Sequence, residues 1–190
     1  MATFVDPATG EPRVACGCRR KVQIHDPVAG GAALVVIDVG NLVDALAVFK
    51  EPATGEPRLA CGCGRKGVFI FDPVAGGEAL LVINVGGVHA LALFTESSTG
   101  ALRLACGTSK RDSATDSWIH DVRVFDPVAG GEALLVLDVG ASALEVFKDP
   151  ATGAPRLACA SGTKVLVFDP VAGGEALLVL DIGSKVWALA

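Results

Sequence analysis

Ala45-Leu46-Ala47-Val48-Phe49, Arg58-Leu59-Ala60-Cys61, Gly67-Val68-Phe69-Ile70-Phe71 and Ala79-Leu80-Leu81-Val82-Ile83 are four short apolar runs separated by turns. Pro52-Ala53-Thr54-Gly55 separates the first two, and Asp72-Pro73-Val74-Ala75-Gly76-Gly77 the last two. Proline holds φ near −65° and glycine permits positive φ, so both punctuate the chain. The runs are rich in Val, Leu, Ile and Phe and too short for helices, so they read as β-strands. Several are apolar on consecutive residues, as in Leu177-Leu178-Val179-Leu180, which is the pattern of sheets covered on both faces.

The same unit recurs along the 190 residues. The Asp-Pro-Val-Ala-Gly-Gly turn returns at 26–31, 72–77, 126–131 and 169–174. A Thr-Gly turn leading to Ala-Cys or Leu-Ala-Cys returns at 9–16, 54–61, 99–106 and 152–159. The equivalent glycines Gly10, Gly55, Gly100 and Gly153 are spaced by 45, 45 and 53 residues. The longer spacing holds an insertion at 108–121. The ends share one strand of the repeat. Val186-Trp187-Ala188-Leu189-Ala190 matches the start of a first strand, Val88-His89-Ala90-Leu91-Ala92. Met1-Ala2-Thr3-Phe4-Val5 matches the end of one, Leu46-Ala47-Val48-Phe49-Lys50.

With these motifs in phase, the unit resembles a WD-repeat blade, four antiparallel strands of a β-propeller. The family's Trp-Asp pair is matched by Phe71-Asp72, Phe125-Asp126 and Phe168-Asp169, and by His25-Asp26 in the first copy. Its Ala-Ser-Gly-Ser stretch is matched by Ala15-Cys16-Gly17-Cys18 and Ala60-Cys61-Gly62-Cys63. The family's Gly-His pair is absent; Val39-Gly40, Val85-Gly86, Val139-Gly140 and Ile182-Gly183 stand in its place. Cohesion within a blade is therefore expected from apolar packing. Acid–base pairs of Lys21, Lys66 and Lys164 with Asp38, Asp138 and Asp181 are expected to add to it. The resemblance implies an all-β fold: a β-propeller of four four-stranded antiparallel blades, forming one domain over 1–190. The blades form a closed four-bladed ring, half of an eight-bladed ring made by a homodimer, or an open arc of a longer array.

Composition narrows the function. Hydrophobic residues make up 51%, too many for a disordered chain. The net charge of −5 argues against a nucleic-acid partner, which selects a basic face. No apolar run approaches the length of a membrane span, and residues 1–7 do not read as a signal peptide, so a cytoplasmic protein without a membrane partner is expected.

Cys16, Cys61, Cys106 and Cys159 share one repeat position, with Cys18 and Cys63 two residues on. At strand spacing they read as small buried hydrophobes, with no metal and no cofactor. The insertion carries Arg111, Asp116, Trp118 and His120, a set able to anchor a protein partner from a surface loop. Arg19, Arg20, Arg65, Lys66, Lys110 and Arg111 fall in equivalent loops with Lys21 and Lys164, and are expected to gather on one face. Glu11, Glu56, Glu78, Glu132 and Glu175 are expected on the opposite, acidic face. The Asp before each Pro reads as a turn residue. The innermost strands hold one titratable residue on the apolar pattern, Glu145, so an enzyme working in a central opening is disfavoured. The expected function is a non-enzymatic scaffold that binds proteins. The alternative is a partial propeller that acts only after oligomerisation.

Overall fold

The computed structural model describes residues 1–189. Among the described residues sixteen strands form four antiparallel sheets of four, each strand paired with a sequence neighbour. The first sheet holds β1 (Ala2–Val5), β2 (Pro12–Cys18), β3 (Lys21–His25) and β4 (Val35–Asp38). The second holds β5 (Val43–Lys50), β6 (Pro57–Cys63), β7 (Gly67–Phe71) and β8 (Leu81–Ile83). The third holds β9 (Gly87–Thr95), β10 (Leu102–Arg111), β11 (Trp118–Asp126) and β12 (Gly130–Leu137). The fourth holds β13 (Ala143–Lys148), β14 (Pro155–Ser161), β15 (Lys164–Phe168) and β16 (Leu178–Asp181). The chain divides into two compact units, Met1–Val88 and His89–Ala190. Among the described residues no helix is long and apolar enough to cross a membrane.

The turns do what their composition dictates. In Asp26-Pro27-Val28-Ala29-Gly30-Gly31, Asp26 Oδ1 accepts the N–H groups of Val28 and Ala29, both at 2.8 Å. Asp72, Asp126 and Asp169 repeat this pattern. The two glycines that follow adopt left-handed φ, +69° and +89° in the first copy, which glycine does without steric cost. That reversal delays strand pairing: β8 begins at Leu81, two residues after the expected Ala79. In the Thr-Gly turn, the Gly10 N–H donates to Asp6 O at 2.8 Å and Gly10 takes φ +74°.

Each sheet has two faces set by strand alternation. An aliphatic face carries, in the first sheet, Phe4, Ala15, Val22, Ile24 and Ile37; Ala15 stands opposite Ile24 and Val22 opposite Ile37, and Phe4, opposite Arg13, lies on the same face. A cysteine face carries, in the second sheet, Leu59, Cys61, Cys63, Phe69 and Phe71. Within the first unit these two faces form one core, to which Phe4, Ile24, Ile37, Leu59, Cys61 and Phe71 all belong. Within the second unit the same positions build the other core: Phe94, Val122, Val124 and Leu137 from the third sheet, with Leu144, Leu157, Cys159 and Phe168 from the fourth. All six cysteines are free thiols, and Cys61, Cys63, Cys106 and Cys159 are buried. Burial pushes the Cys63 thiol up to about 11 and that of Cys159 up to about 12, so both stay protonated at neutral pH.

A polar element joins this packing that the expected Lys–Asp pairing does not describe. Lys21 stands opposite Asp38 and Lys164 opposite Asp181 in the ladders. The Asp38 and Asp181 Oδ1 atoms, however, accept the N–H groups of Gly40 and Gly183 in the following turns. The recurring ion pairs are built on arginine. Arg13 reaches Asp6 at 3.4 Å, Glu11 at 3.0 Å and Asp26 at 3.4 Å. Arg58 pairs with Glu51, with Glu56 at 2.9 Å and with Asp72 at 3.8 Å. Arg103 takes Glu96 and Asp126, and Arg156 takes Asp149 and Asp169. Each guanidinium thus ties the turn between the first two strands of its sheet to the turn between the last two. The Asp of the Pro-Val-Ala-Gly-Gly turn does two jobs: Oδ1 caps the turn and Oδ2 faces the arginine.

These contacts set an acid limit. The N–H groups of Ala29 and Val28 hold the Asp26 carboxyl below its ordinary value, and the Ala151 N–H does the same for Asp149. Burial alone would raise Asp169; the Ala172 and Val171 N–H groups overturn that, and it too lies low. A carboxyl whose folded pKa is depressed contributes stability above its unfolded value, about 3.9, and loses it as pH falls through the folded value. These groups therefore add nothing to the pH dependence between pH 7 and 5. Thermal melts across that series should show the steep loss only below about pH 4; a fall already complete by pH 5 would contradict the assignment.

Candidate interaction surface

The insertion is not a loop but an extension of one hairpin. β10 and β11 stay in register through Thr108↔Asp121, Ser109↔His120, Lys110↔Ile119 and Arg111↔Trp118. Continued pairing satisfies backbone groups that a polar loop would leave to water, and Thr, Ile and Trp suit a strand. The tip repeats the chemistry of the Thr-Gly turn. Asp112-Ser113-Ala114-Thr115-Asp116 corresponds to Asp149-Pro150-Ala151-Thr152-Gly153, with Asp116 in the glycine position at φ +54°. Asp tolerates this left-handed conformation better than most residues. The Ala114 N–H donates to Asp112 Oδ1 at 3.0 Å, and the Asp112 N–H donates to Ser117 O at 2.8 Å. The Ala114 N–H, followed by the Thr115 hydroxyl, holds the Asp112 carboxyl below its ordinary value.

Residues opposite each other in a ladder share a face. Arg111, Trp118, Ser109 and His120 therefore lie on one face of the hairpin, and Lys110 and Ile119 on the other. Trp118 is 62% exposed and stacks on His120, ring centroids 6.4 Å apart at 25°. Arg111 Nη2 holds the Asp116 carboxylate at 2.7 Å. Beneath them Ser109 Oγ lies 2.7 Å from His89 Nε2. Gly140 lets the hairpin base close: a Cβ there would stand 2.9 Å from His120 Cβ. The other face of the base is anchored by a buried polar group. The Thr108 hydroxyl donates to Asp121, and Arg123 Nε and Nη2 reach the same carboxylate at 2.9 and 2.6 Å. Burial would raise the Asp121 carboxyl; the hydrogen bonds from Arg123 and Thr108 outweigh it and hold the group low.

The candidate residues Arg111, Asp116, Trp118 and His120 thus all lie on the extended hairpin, with Arg111, Trp118 and His120 on one face of it. Lys110 sits on the reverse of the same hairpin. Arg19 and Arg20 form the two-residue turn from β2 to β3, with Arg19 at φ +55°. Arg65 and Lys66 lie in the equivalent turn from β6 to β7. These four belong to the first unit, in corresponding turns of its two sheets. Glu11 and Glu56, expected on the acidic face, are paired with Arg13 and Arg58. Among the described residues no group of three or more His, Cys, Asp or Glu is placed to hold a metal ion.

No protein-family model matches the chain, and no curated protein matches it. Solved structures do. One is the crystal structure of BBS1N in complex with ARL6DN, soaked with lead, at 13% identity and a TM-score of 0.71. The match covers 96% of this chain and 56% of that one, so the chain spans little more than half the length of this neighbour. The neighbour is a β-propeller domain. Four four-stranded antiparallel sheets, with no helix among the described residues, have the fold of a β-propeller.

Proposed function

We propose that this chain is a non-enzymatic protein-interaction scaffold with WD-repeat-like blades, and that the extended β10–β11 hairpin is where it grips a protein partner. One observation carries the reading: an exposed tryptophan held in place by a stacked histidine, on a hairpin longer than its counterparts in the other sheets. A large aromatic side chain that is already ordered loses little entropy on binding, and such residues dominate interface energetics. Arg111 and Asp116 add a neutralised polar rim. The resemblance in fold to a domain whose structure was solved with a protein partner is consistent with this role. The acidic net charge favours protein over nucleic acid as the partner class.

The test is a purified pair. A partner recovered by cross-linking to the wild-type chain is made separately and titrated against wild type and Trp118→Ala. Removal of Trp118 should weaken binding about tenfold or more, with an unchanged melting temperature because the side chain is exposed. Equal affinity for the two proteins would remove the hairpin from the interface.

A further inference from the structure

The same repeat position is buried in three sheets and bare in the fourth. Ile37, Ile83 and Leu137 are 1–2% exposed, and their counterpart Leu180 is 45% exposed. Phe4, Phe49 and Phe94 are buried, and Phe147 is 45% exposed. Val39, Val85 and Val139 are buried, and Ile182 is 52% exposed. Nothing in the residue types explains the change; the fourth sheet is as apolar on this face as the sheets whose faces are covered. Its central residues Ala160, Val165 and Val167 are buried, but its outer strand is not. The cysteine face shows the converse in the first sheet. Cys61 and Cys63 are fully buried, while Cys16 is half-buried and Cys18 exposed.

The strand ladders carry the same asymmetry. β5 pairs along β6 from Cys63 to Pro57, but β1 pairs along β2 only from Ala15 to Pro12. The stretch Cys16–Cys18 is paired with β3 and, among the described residues, has no counterpart of Val43–Leu46 on its other side. That counterpart stands at the other end of the chain. The Val186 N–H donates to Gly162 O at 3.0 Å, as the Val43 N–H donates to Arg19 O at 2.8 Å. The segment Val186–Leu189 thus leaves the fourth sheet in the way that β5 leaves the first. Ala190, which follows this segment, lies outside the described residues.

We propose that the bare aliphatic face of the fourth sheet packs on the cysteine face of the first sheet of a second copy of this chain, and that Val186–Leu189 extends the second copy's β1 along Cys16–Cys18. The contact repeats the packing already present between the first and second sheets and between the third and fourth. The receiving face differs from its counterparts at Gln23 and His25, which replace Phe69 and Phe71. His25 Nε2 lies 3.3 Å from Gln23 Oε1, one hydrogen bond that lowers the cost of covering the pair but leaves His25 Nδ1 and the Gln23 amide N–H groups to be met within the contact. This polar pair makes the contact weaker than the internal ones, and association is concentration-dependent.

Light scattering measures mass over a concentration series while thiol labelling, mapped by peptide mass spectrometry, follows Cys16 and Cys18. The expected result is a mass rising from 19.3 kDa to that of two copies or more. Labelling of Cys16 and Cys18 slows in step, about tenfold or more, towards the slow rates of Cys61 and Cys63. Leu180→Lys, at an exposed position, and deletion of residues 186–190 should each keep the chain monomeric with fast labelling; circular dichroism checks that both fold. Three results overturn the proposal. One is a monomer with fast labelling at every concentration. Another is an oligomer in which Cys16 and Cys18 stay fast, which places two fourth sheets face to face. The third is protection in a monomer, which places the chain's own segment on its own first sheet.

Discussion

Gly67→Ala is expected to destabilise the chain by about 3 kcal/mol, the sum of a left-handed backbone penalty and overpacking. Gly67 opens β7 at φ +91°. A Cβ there would lie 2.0 Å from the Ile83 carbonyl oxygen and 3.1 Å from the Val85 nitrogen. Both are backbone atoms, so β8 itself must move. The equivalent positions in the first and fourth sheets are Lys21 and Lys164. Those turns have two residues between the paired strands, and Arg19 and Gly162 carry the positive φ. In the second sheet the turn has one residue more, and the positive φ moves onto the strand. Gly55→Ala is the control. Gly55 has φ +74° with open space around it, so it should cost only the backbone penalty, about 1–2 kcal/mol. Urea denaturation of both variants checks the difference; equal midpoints would show that β8 yields freely.

The second large effect is expected at the arginine nodes. Arg58→Ala removes the group that links both turns of the second sheet and leaves Glu51 and Asp72 without their cation in a half-buried place. The side chain of Arg58 is largely covered, so the loss should be about 2 kcal/mol, between the range of surface pairs and that of fully buried ones. Arg58→Lys should recover little. An ammonium is one compact charge, whereas this guanidinium spreads two nitrogens over three carboxylates and the Pro57 carbonyl. Arg111→Ala, which breaks an exposed pair, should change stability by less than about 0.5 kcal/mol. If Arg58→Ala and Arg111→Ala shift the unfolding midpoint equally, the node is only a surface contact.

The strands and turns were legible because their signals are local. Gly67–Phe71 is a strand with the expected limits, since Gly and Asp-Pro bound a β-branched and aromatic run. The caps made by Asp26, Asp72, Asp126 and Asp169 follow from Asp before Pro-Val-Ala. The arginine nodes were missed because they depend on which residues face each other across strands. Runs that are apolar on both faces leave that register open, and the loop lysines drew the pairing to the wrong end of each sheet. A signal existed: Arg13, Arg58, Arg103 and Arg156 recur in phase, each seven residues after an acid, Asp6, Glu51, Glu96 or Asp149. The insertion misled for a different reason. Ser, Thr, Asp and Lys dominate it, and polarity reads as loop. The telling feature is its fifth copy of a turn that opens on an acid and has Thr three residues on, hidden by Asp116 where the other copies have glycine. Its candidate residues Arg111, Asp116, Trp118 and His120 stand out in the sequence because charge and aromatic content need no register to be seen.

Every strand in this protein pairs with the strand next to it in sequence, and that bears on how the chain reaches its fold. Within each sheet the connections between paired strands run from two to nine residues, so little loop entropy stands in the way. Such local topology belongs to the fast end of folding for β proteins. Selection among partners then becomes the slower matter. Because the four sheets are near copies, an aliphatic face meets several similar cysteine faces during folding, in its own chain or in a neighbouring one. Departures from the repeat, the long β10–β11 hairpin and the Gln23–His25 pair, are what make one pairing of sheets differ in energy from another.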